Sequence, residues 1–145
     1  CFHSHRKSWE QVVADGALCL ILEDDAVLAD SISVALAAIE ERHHDWRHVY
    51  DLEFTPEPHI IADTPTWSDE QGFVSASRIY RNRVGLAGYV IGPEAASRLL
   101  AETKRYRLID SYLWQRHWLH GQMIGAGGPD AVFPGYAAGA GICTE

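Results

Sequence analysis

Three consecutive carboxylates at residues 23–25 are the strongest chemical signal in the chain. They follow directly on a short apolar run, Ala17–Leu22, which Gly16 bounds on its other side. A run this short and apolar predicts a buried strand, and acids at its carboxyl end would lie at the rim of a sheet, where open α/β folds bind ligands. On an extended chain, Glu23 and Asp25 would point to the same side.

Paired carboxylate oxygens suit a hard divalent cation, Mg²⁺ or Mn²⁺, that also holds a phosphate group. Glu23 and Asp25 are therefore candidate metal ligands. The alternative is a solvated acidic turn without a ligand, because clustered acids are common in loops. These residues alone leave both interpretations open.

The elements that would position these acids alternate between helix and strand. Gly16 ends a predicted helix over residues 3–14, Asp30 or Ser31 caps a second helix to about Arg42, and Pro93 begins a third. Residues 55–72 read as a long loop, in which Trp67 would either stack on the ring of a bound ligand or pack as an ordinary half-buried side chain. Further strands are predicted over 48–54, 73–80 and 85–91, and a last helix from Asp110 to Leu119 before Gly121. This interleaving favours an α/β fold.

Composition excludes some classes of partner. The 145 residues suggest a single domain, 1–145, and 47% hydrophobic residues suffice for a proper core. A net charge of −8 argues against a nucleic-acid surface but not against a phosphate-bearing ligand, since a bound cation reverses the local field. Three widely spaced cysteines favour a reducing compartment, and no apolar run reaches the length of a membrane span. A cytoplasmic location is expected.

Several blocks of sequence together resemble glycosyltransferase family 25, which includes lipopolysaccharide and lipooligosaccharide glycosyltransferases and collagen galactosyltransferases. The resemblance extends from residue 1 to about 120. Its blocks are Ser4-His5 with Trp9, Leu22–Asp25 with Val27, Gly85–Ile91 followed by Pro93–Ala96 and Leu99-Leu100, and finally Ile109-Asp110. It implies a GT-A-like, Rossmann-like mixed sheet flanked by helices, a divalent metal, and sugar transfer with inversion from a nucleotide-sugar donor, often UDP-galactose. The implied acceptor is a saccharide or glycolipid, with peripheral association at the inner face of the cytoplasmic membrane.

The resemblance also suggests roles for individual residues. By analogy with the DxD motif of GT-A enzymes, Asp25 is the first choice of metal ligand and Glu23 the second, while Asp24 would contact the ribose or the donor sugar. Asp110 is the candidate general base. The candidate donor-binding residues are Ser4, His5, Gly88 and Tyr89.

Structural alternatives stand beside several of these roles. Asp110 would serve equally well as a helix N-cap, and Ser4 as a cap of the first helix. Tyr89 fits a place in the core, and a glycine such as Gly88 can mark a bulge in a strand.

One departure from the family pattern concerns the amino-terminal side. Members of the family normally carry a strand and a helix upstream of the Ser-His block, and this βα unit helps to form the nucleotide pocket. The present chain starts at the block, so we expect a sheet that lacks the first βα unit and an incomplete donor pocket. The alternative function is a non-catalytic saccharide- or metal-binding module derived from this fold.

The histidines do not form a recognisable zinc motif. His3 and His5, His43 and His44, and His117 and His120 are close in sequence, but none of these spacings matches a metalloprotease or a zinc finger. The sequence therefore predicts no zinc site. His117 or His120 would serve as a third ligand of the catalytic metal, and nothing in the sequence chooses between them.

Overall fold

A six-stranded sheet forms the centre of the computed structural model, which describes residues 2–53, 61–80, 86–103, 108–114, 119–126 and 143–144. The helices are α1 (Phe2–Asp15), α2 (Ile32–Arg42), α3 (Pro93–Glu102) and α4 (Ile109–Trp114). The strands are β1 (Cys19–Leu22), β2 (Val27–Leu28), β3 (His48–Asp51), β4 (Trp67–Ser68), β5 (Val74–Arg78), β6 (Gly88–Ile91), β7 (His120–Ala126) and β8 (Cys143–Thr144).

The strands of the main sheet follow the order β1-β6-β3-β7-β5-β4, and β2 pairs with β8 in a separate ribbon. β6 runs antiparallel to both β1 and β3, whereas β3 and β7 are parallel. β1, β3 and β7 therefore point in the same direction, and their carboxyl ends share one edge of the sheet. The mixed sheet predicted from the sequence is confirmed.

Helices cover both faces of this sheet. Because successive side chains of a strand point to opposite faces, Val49 and Tyr50 of β3 enter two different cores. The first core lies under α1, α3 and α4 and includes Trp9, Val12, Val49, Tyr89, Ile91, Leu99 and Leu113. The second lies under α2 and includes Ala35, Ile39, Tyr50, Leu52 and Val90.

The helix ends follow local chemistry that the sequence contains. α1 stops at Asp15 because Gly16 takes a φ of 66°, a left-handed conformation that favours glycine, and its N–H closes the last turn on the carbonyl of Val12 at 3.1 Å. α3 begins with Pro93 after Gly92, and α2 spans the predicted range. Within the described residues, no helix has the length and apolar character needed to cross a bilayer.

The prediction that β1 is a buried strand is wrong. It lies at the edge of the sheet in the described part of the chain, with β6 as its neighbour, and only Ile21 of its four residues is buried. Leu22 is 39% exposed. An apolar run fits an edge strand as well as a central one, because the sequence pattern does not show how many neighbours a strand has.

The acids after β1 are not extended either. The N–H of Ala26 donates to the carbonyl of Glu23 at 3.3 Å, so the chain turns at Asp24 and Asp25. The alternating orientation expected of an extended segment therefore does not apply to these three side chains.

Other boundaries also differ from the predictions. Residues 61–72 of the predicted loop contain β4. Trp67 is half-buried and packs against the core under α2 with its ring 6.5 Å from that of Tyr50, in agreement with the packing alternative. Residues 54–60 lie outside the described ones. Asp110 is the second residue of α4, and the N–H of Tyr112 donates to the carbonyl of Leu108, so Asp110 is not the N-cap. Gly121 belongs to β7 instead of ending a helix, and residues 115–118 are not described.

Candidate functional site

A cleft of about 520 Å³ opens at the carboxyl end of β1, beside the first turns of α1. One wall is the end of β1 with the acidic turn that follows it, and the other is the polar side of the helix. The lining residues are Ser4, His5, Ser8, Ile21, Leu22, Glu23, Asp24 and Asp25.

His5 joins the two walls of the cleft. Its Nε2 lies 3.3 Å from Oε1 of Glu23, and its Nδ1 lies 2.9 Å from the hydroxyl of Tyr89. The same hydroxyl accepts a hydrogen bond of 2.9 Å from the indole Nε1–H of Trp9. A buried chain of polar contacts thus runs from Trp9 through Tyr89 and His5 to the half-buried Glu23.

The order of donors along this chain assigns the histidine tautomer. The Tyr89 hydroxyl accepts from Trp9, so its own proton is available to donate to Nδ1 of His5. His5 then carries its proton on Nε2, from which it donates to the carboxylate of Glu23. This arrangement satisfies every member of the chain and fixes the direction of the Glu23 side chain.

Burial sets the charge state of the two central groups. It lowers the pKa of His5 below its ordinary value, and the hydrogen bond and charge of Glu23 oppose this only in part. Burial also raises the pKa of Tyr89 far above its ordinary value. At neutral pH the chain therefore consists of a neutral phenol and a neutral imidazole.

Backbone contacts hold the acidic turn against the neighbouring strands. The N–H of Glu23 donates to the carbonyl of Ala87 at 2.9 Å, and the N–H of Ala87 donates to Oε2 of Glu53 at 3.0 Å. The N–H of Leu52 donates to the carbonyl of Gly88 at 3.0 Å. The residues that follow β1 and β3 are thereby tied to the beginning of β6.

The structure brings together most of the residues singled out in the sequence. Ser4, Asp24 and Asp25 are exposed in the cleft, and His5 and Glu23 line it as a bonded pair. Ser4 lies inside α1, which begins at Phe2, so it does not cap that helix. Asp110 is placed in α4, and its side chain lies outside the described atoms.

Tyr89 and Gly88 require a correction. Tyr89 has no exposed surface and Gly88 is buried in β6, so neither is placed to contact a donor directly. Tyr89 belongs to the core and acts on the cleft only through its hydroxyl.

Two contributors were not identified from the sequence. Trp9 supplies the first donor of the polar chain, and Glu53 supports Ala87 from a site with 5% exposure. The sequence shows Trp9 only as part of the Ser-His block. Its hydrogen bond to Tyr89, 80 positions later, has no local signal in the sequence. Glu53 falls inside the strand predicted over 48–54, whereas β3 ends at Asp51, so the predicted boundary hides its place beyond the end of the strand.

The donor set of the cleft fits a Mg²⁺-type ion. Among the described residues, the carboxylates of Glu23, Asp24 and Asp25 do not form a group of three within 4.8 Å of one another. An ion here would therefore take one or two carboxylates and complete its shell with water and phosphate oxygens, which is the usual arrangement for Mg²⁺.

His120 does not belong to this cleft. It begins β7 and pairs with His48 at the amino end of β3, at the edge opposite the one where Glu23 follows β1. It is therefore unsuited to be a third ligand beside Glu23 and Asp25, and His117 lies outside the described residues.

The structure is an α/β fold with a mixed sheet, helices on both faces and an acidic cleft at the carboxyl end of a strand, which is where open α/β sheets usually bind ligands. The family model of glycosyltransferase family 25, described as an LPS biosynthesis protein, matches residues 1–114, so the chain belongs to this family. The resemblance noted in the sequence is thereby confirmed, and the family implies a glycosyltransferase of lipopolysaccharide biosynthesis. No curated protein matches the chain at a significant level.

Proposed function

We propose that the cleft beside Glu23–Asp25 binds the diphosphate of a nucleotide-sugar donor, together with Mn²⁺ or Mg²⁺, for transfer of the sugar to a saccharide acceptor. The observation that carries this proposal is the convergence of the family's Ser-His and Glu-Asp-Asp blocks on one cleft of about 520 Å³. The two blocks lie on different elements and meet only in the folded chain.

Charge explains why acids surround a site for an anionic ligand. The departing nucleoside diphosphate gains negative charge in the transition state, and a divalent ion bound there neutralises it as a Lewis acid. Asp25 and Glu23 are the residues that would hold the ion. Asp24, exposed on the same turn, would accept hydrogen bonds from the ribose or the donor sugar.

The contribution of His5 is to keep Glu23 oriented before the ligand arrives. Its Nε2–H donates to Oε1 of the Glu23 carboxylate at 3.3 Å. Because His5 is itself fixed by the buried Tyr89 hydroxyl, little reorganisation of this wall is needed on binding.

The remaining parts of the proposal come from the family. UDP-galactose is the proposed donor, a lipopolysaccharide core saccharide the acceptor, and inversion the stereochemical outcome. Asp110 of α4 is the proposed general base for the acceptor hydroxyl. α4 packs in the same helical layer as α1, which carries Ser4 and His5.

The edge position of β1 suggests how the donor pocket is completed. In the described part of the chain, β1 pairs with β6 on one side only, and the acidic turn lies at its end. A strand supplied by upstream residues or by another chain would extend the sheet beside β1 and deepen the cleft for the nucleoside.

The deciding experiment is a calorimetric titration of UDP into the chain with Mn²⁺ and again with EDTA. We expect UDP binding that requires the metal, and transfer of labelled galactose from UDP-galactose to a core oligosaccharide once a strand is supplied beside β1. Metal-dependent binding without transfer in that completed protein would favour the non-catalytic saccharide- or metal-binding module, and binding unaffected by EDTA would refute the metal-assisted proposal.

The Asp25→Ala variant tests the assignment of the metal ligand. We expect metal-dependent UDP binding to fall at least tenfold while the circular dichroism spectrum and the unfolding midpoint stay unchanged, because Asp25 is exposed. Asp30→Ala is the matched control, since Asp30 is an exposed acid outside the cleft and its loss should leave the affinity unchanged. Equal affinities for the parent and the Asp25 variant would contradict the assignment.

A further inference from the structure

A second group of ionisable side chains lies at the edge of the sheet opposite the acidic cleft. β3 begins at His48 and β7 at His120, and these two residues are paired across the parallel strands. The turn before β3 closes with the N–H of His48 donating to the carbonyl of Asp45 at 2.9 Å. The N–H of His120 donates to the carbonyl of Arg47 at 2.8 Å, which brings the same turn against β7.

This arrangement places one carboxylate over two imidazoles. Oδ2 of Asp45 lies 3.7 Å from Nε2 of His48 and 3.9 Å from Nδ1 of His120. One ligand atom from each of the three residues lies within 4.8 Å of the other two. Around a tetrahedral Zn²⁺ with bonds of 2.0–2.2 Å, ligand atoms are about 3.4 Å apart, so small side-chain movements would bring all three into contact with one ion.

His48 is the member whose surroundings point most directly to a ligand. Its side chain is 7% exposed, and Nε2 is the ring nitrogen that faces the Asp45 carboxylate. The Asp45 oxygen that faces its Nε2 is beyond normal hydrogen-bond length.

We propose that Asp45, His48 and His120 bind one first-row transition-metal ion, for which Zn²⁺ is the best match, with water in the fourth position. Two imidazoles and one carboxylate form a donor set that favours zinc over Mg²⁺ or Ca²⁺. The ion ties the turn before β3 to the first residue of β7, which is 72 positions further along the chain. This site is independent of the proposed donor cleft, which lies at the opposite edge of the sheet.

Arg47 is the residue that opposes metal binding. Its Nη2 donates to Oδ2 of Asp45 at 2.7 Å and its Nε to Oδ1 at 2.9 Å, so a guanidinium occupies the oxygen that faces both imidazoles. The Arg47 side chain is 44% exposed and can move into solvent, but its two-pronged pairing with the largely buried Asp45 has to open before an ion can bind. Zinc binding at Oδ2 therefore replaces the contacts that Nη2 and Nε of Arg47 make with that oxygen.

The test is titration of the metal-depleted 145-residue chain with Zn²⁺ alone, followed by competition with a chromophoric chelator, and with Co²⁺ as a spectroscopic probe. We expect one ion per chain, visible d–d absorption typical of tetrahedral Co²⁺, and a higher unfolding midpoint in the presence of zinc. His120→Gln should weaken zinc binding at least tenfold and abolish the shift of the midpoint. Asp45→Asn gives a second measurement should the histidine variant fail to fold.

Three control variants distinguish this site from other modes of binding. His3→Gln removes an exposed histidine outside the cluster and should leave the affinity unchanged. Asp25→Ala should bind the same zinc ion, which separates this site from the acidic cleft. Arg47→Gln should raise the affinity severalfold because it removes the competing cation. A parent chain that does not bind zinc at micromolar concentrations, or a His120 variant that binds as well as the parent, would overturn the proposal.

Discussion

The hydroxyl of Tyr89 is the residue-scale feature on which the geometry of the cleft depends. It lies 2.9 Å from both Trp9 Nε1 and His5 Nδ1, and no part of the Tyr89 side chain is exposed. Water has no access to replace either contact, so removal of this oxygen leaves two buried nitrogens without their partner. The same change frees the imidazole that holds Glu23.

Tyr89→Phe is therefore expected to destabilise the fold by about 1–3 kcal/mol, the usual consequence of leaving buried polar groups unsatisfied. Urea denaturation followed by tryptophan fluorescence measures this loss. The matched control is Tyr80→Phe, because Tyr80 is 64% exposed and its change should stay within about 0.5 kcal/mol. Equal losses in the two variants would show that the polar chain contributes nothing to stability.

At the scale of single residues, the acids of the cleft could be identified from the sequence, but the residues that contact them could not. Glu23, Asp24 and Asp25 are contiguous and follow an apolar run, so their place at a sheet rim could be predicted. The partners of Glu23 come from α1 and, through Tyr89, from β6. Contacts between residues so distant in sequence have no local signature, and the turn at Asp24 depends on a hydrogen bond that the sequence does not reveal.

At the scale of elements, α1 and α3 are joined by a charged contact as well as by their apolar faces. Nη1 of Arg6 donates to the carbonyl of Leu100 at 3.2 Å, and to the carbonyl and hydroxyl of Thr103 at 2.6 Å each. The last carbonyls of a helix lack partners within that helix and carry partial negative charge. Arg6 thus caps α3 from another helix.

Arg6→Met retains most of the apolar stem and removes the cap, so we expect a loss of about 1–2 kcal/mol, in the range of hydrogen bonds to charged groups. Chemical denaturation measures the loss, and hydrogen exchange should show faster opening at the end of α3. Lys7→Met is the control, because Lys7 is exposed on the same helix. A Lys7 variant as unstable as the Arg6 variant would contradict the capping role.

The positions of the helices along the sequence were predicted better than which strands lie side by side in the sheet. α1, α2 and α3 appear where glycine, serine and proline signals placed them, because helix ends depend on local chemistry. The edge position of β1 and the short strand at Trp67 were not predicted. Which strands pair depends on long-range contacts, and the alternation of apolar and polar residues along the sequence does not encode those contacts.

At the scale of the whole molecule, almost every pairing in the centre of the sheet joins distant parts of the chain. Cys19 pairs with Ile91, and His48 with His120, in both cases 72 residues further on. The two cores under α1 and α2 are built on these same strands, so neither core can form from one half of the chain alone.

We expect this topology to make refolding slow for a chain of this size, with time constants in the range of roughly milliseconds to seconds, because long loops must close before the strands pair. Stopped-flow dilution from urea, followed by the fluorescence of the five tryptophans, measures the rate. Double-jump experiments separate this phase from proline isomerisation, since the chain has six prolines. Folding in microseconds would contradict the expectation.

The strand order also has a consequence for synthesis on the ribosome. β1 and β3 leave the exit tunnel well before the strands that flank them, β6 and β7. At about 5–20 residues per second, the 72 residues between Cys19 and its partner take roughly 4–14 seconds to make. Throughout this interval Ile21, Val49 and Tyr50 have no sheet to enter, and the nascent chain presents them to chaperones.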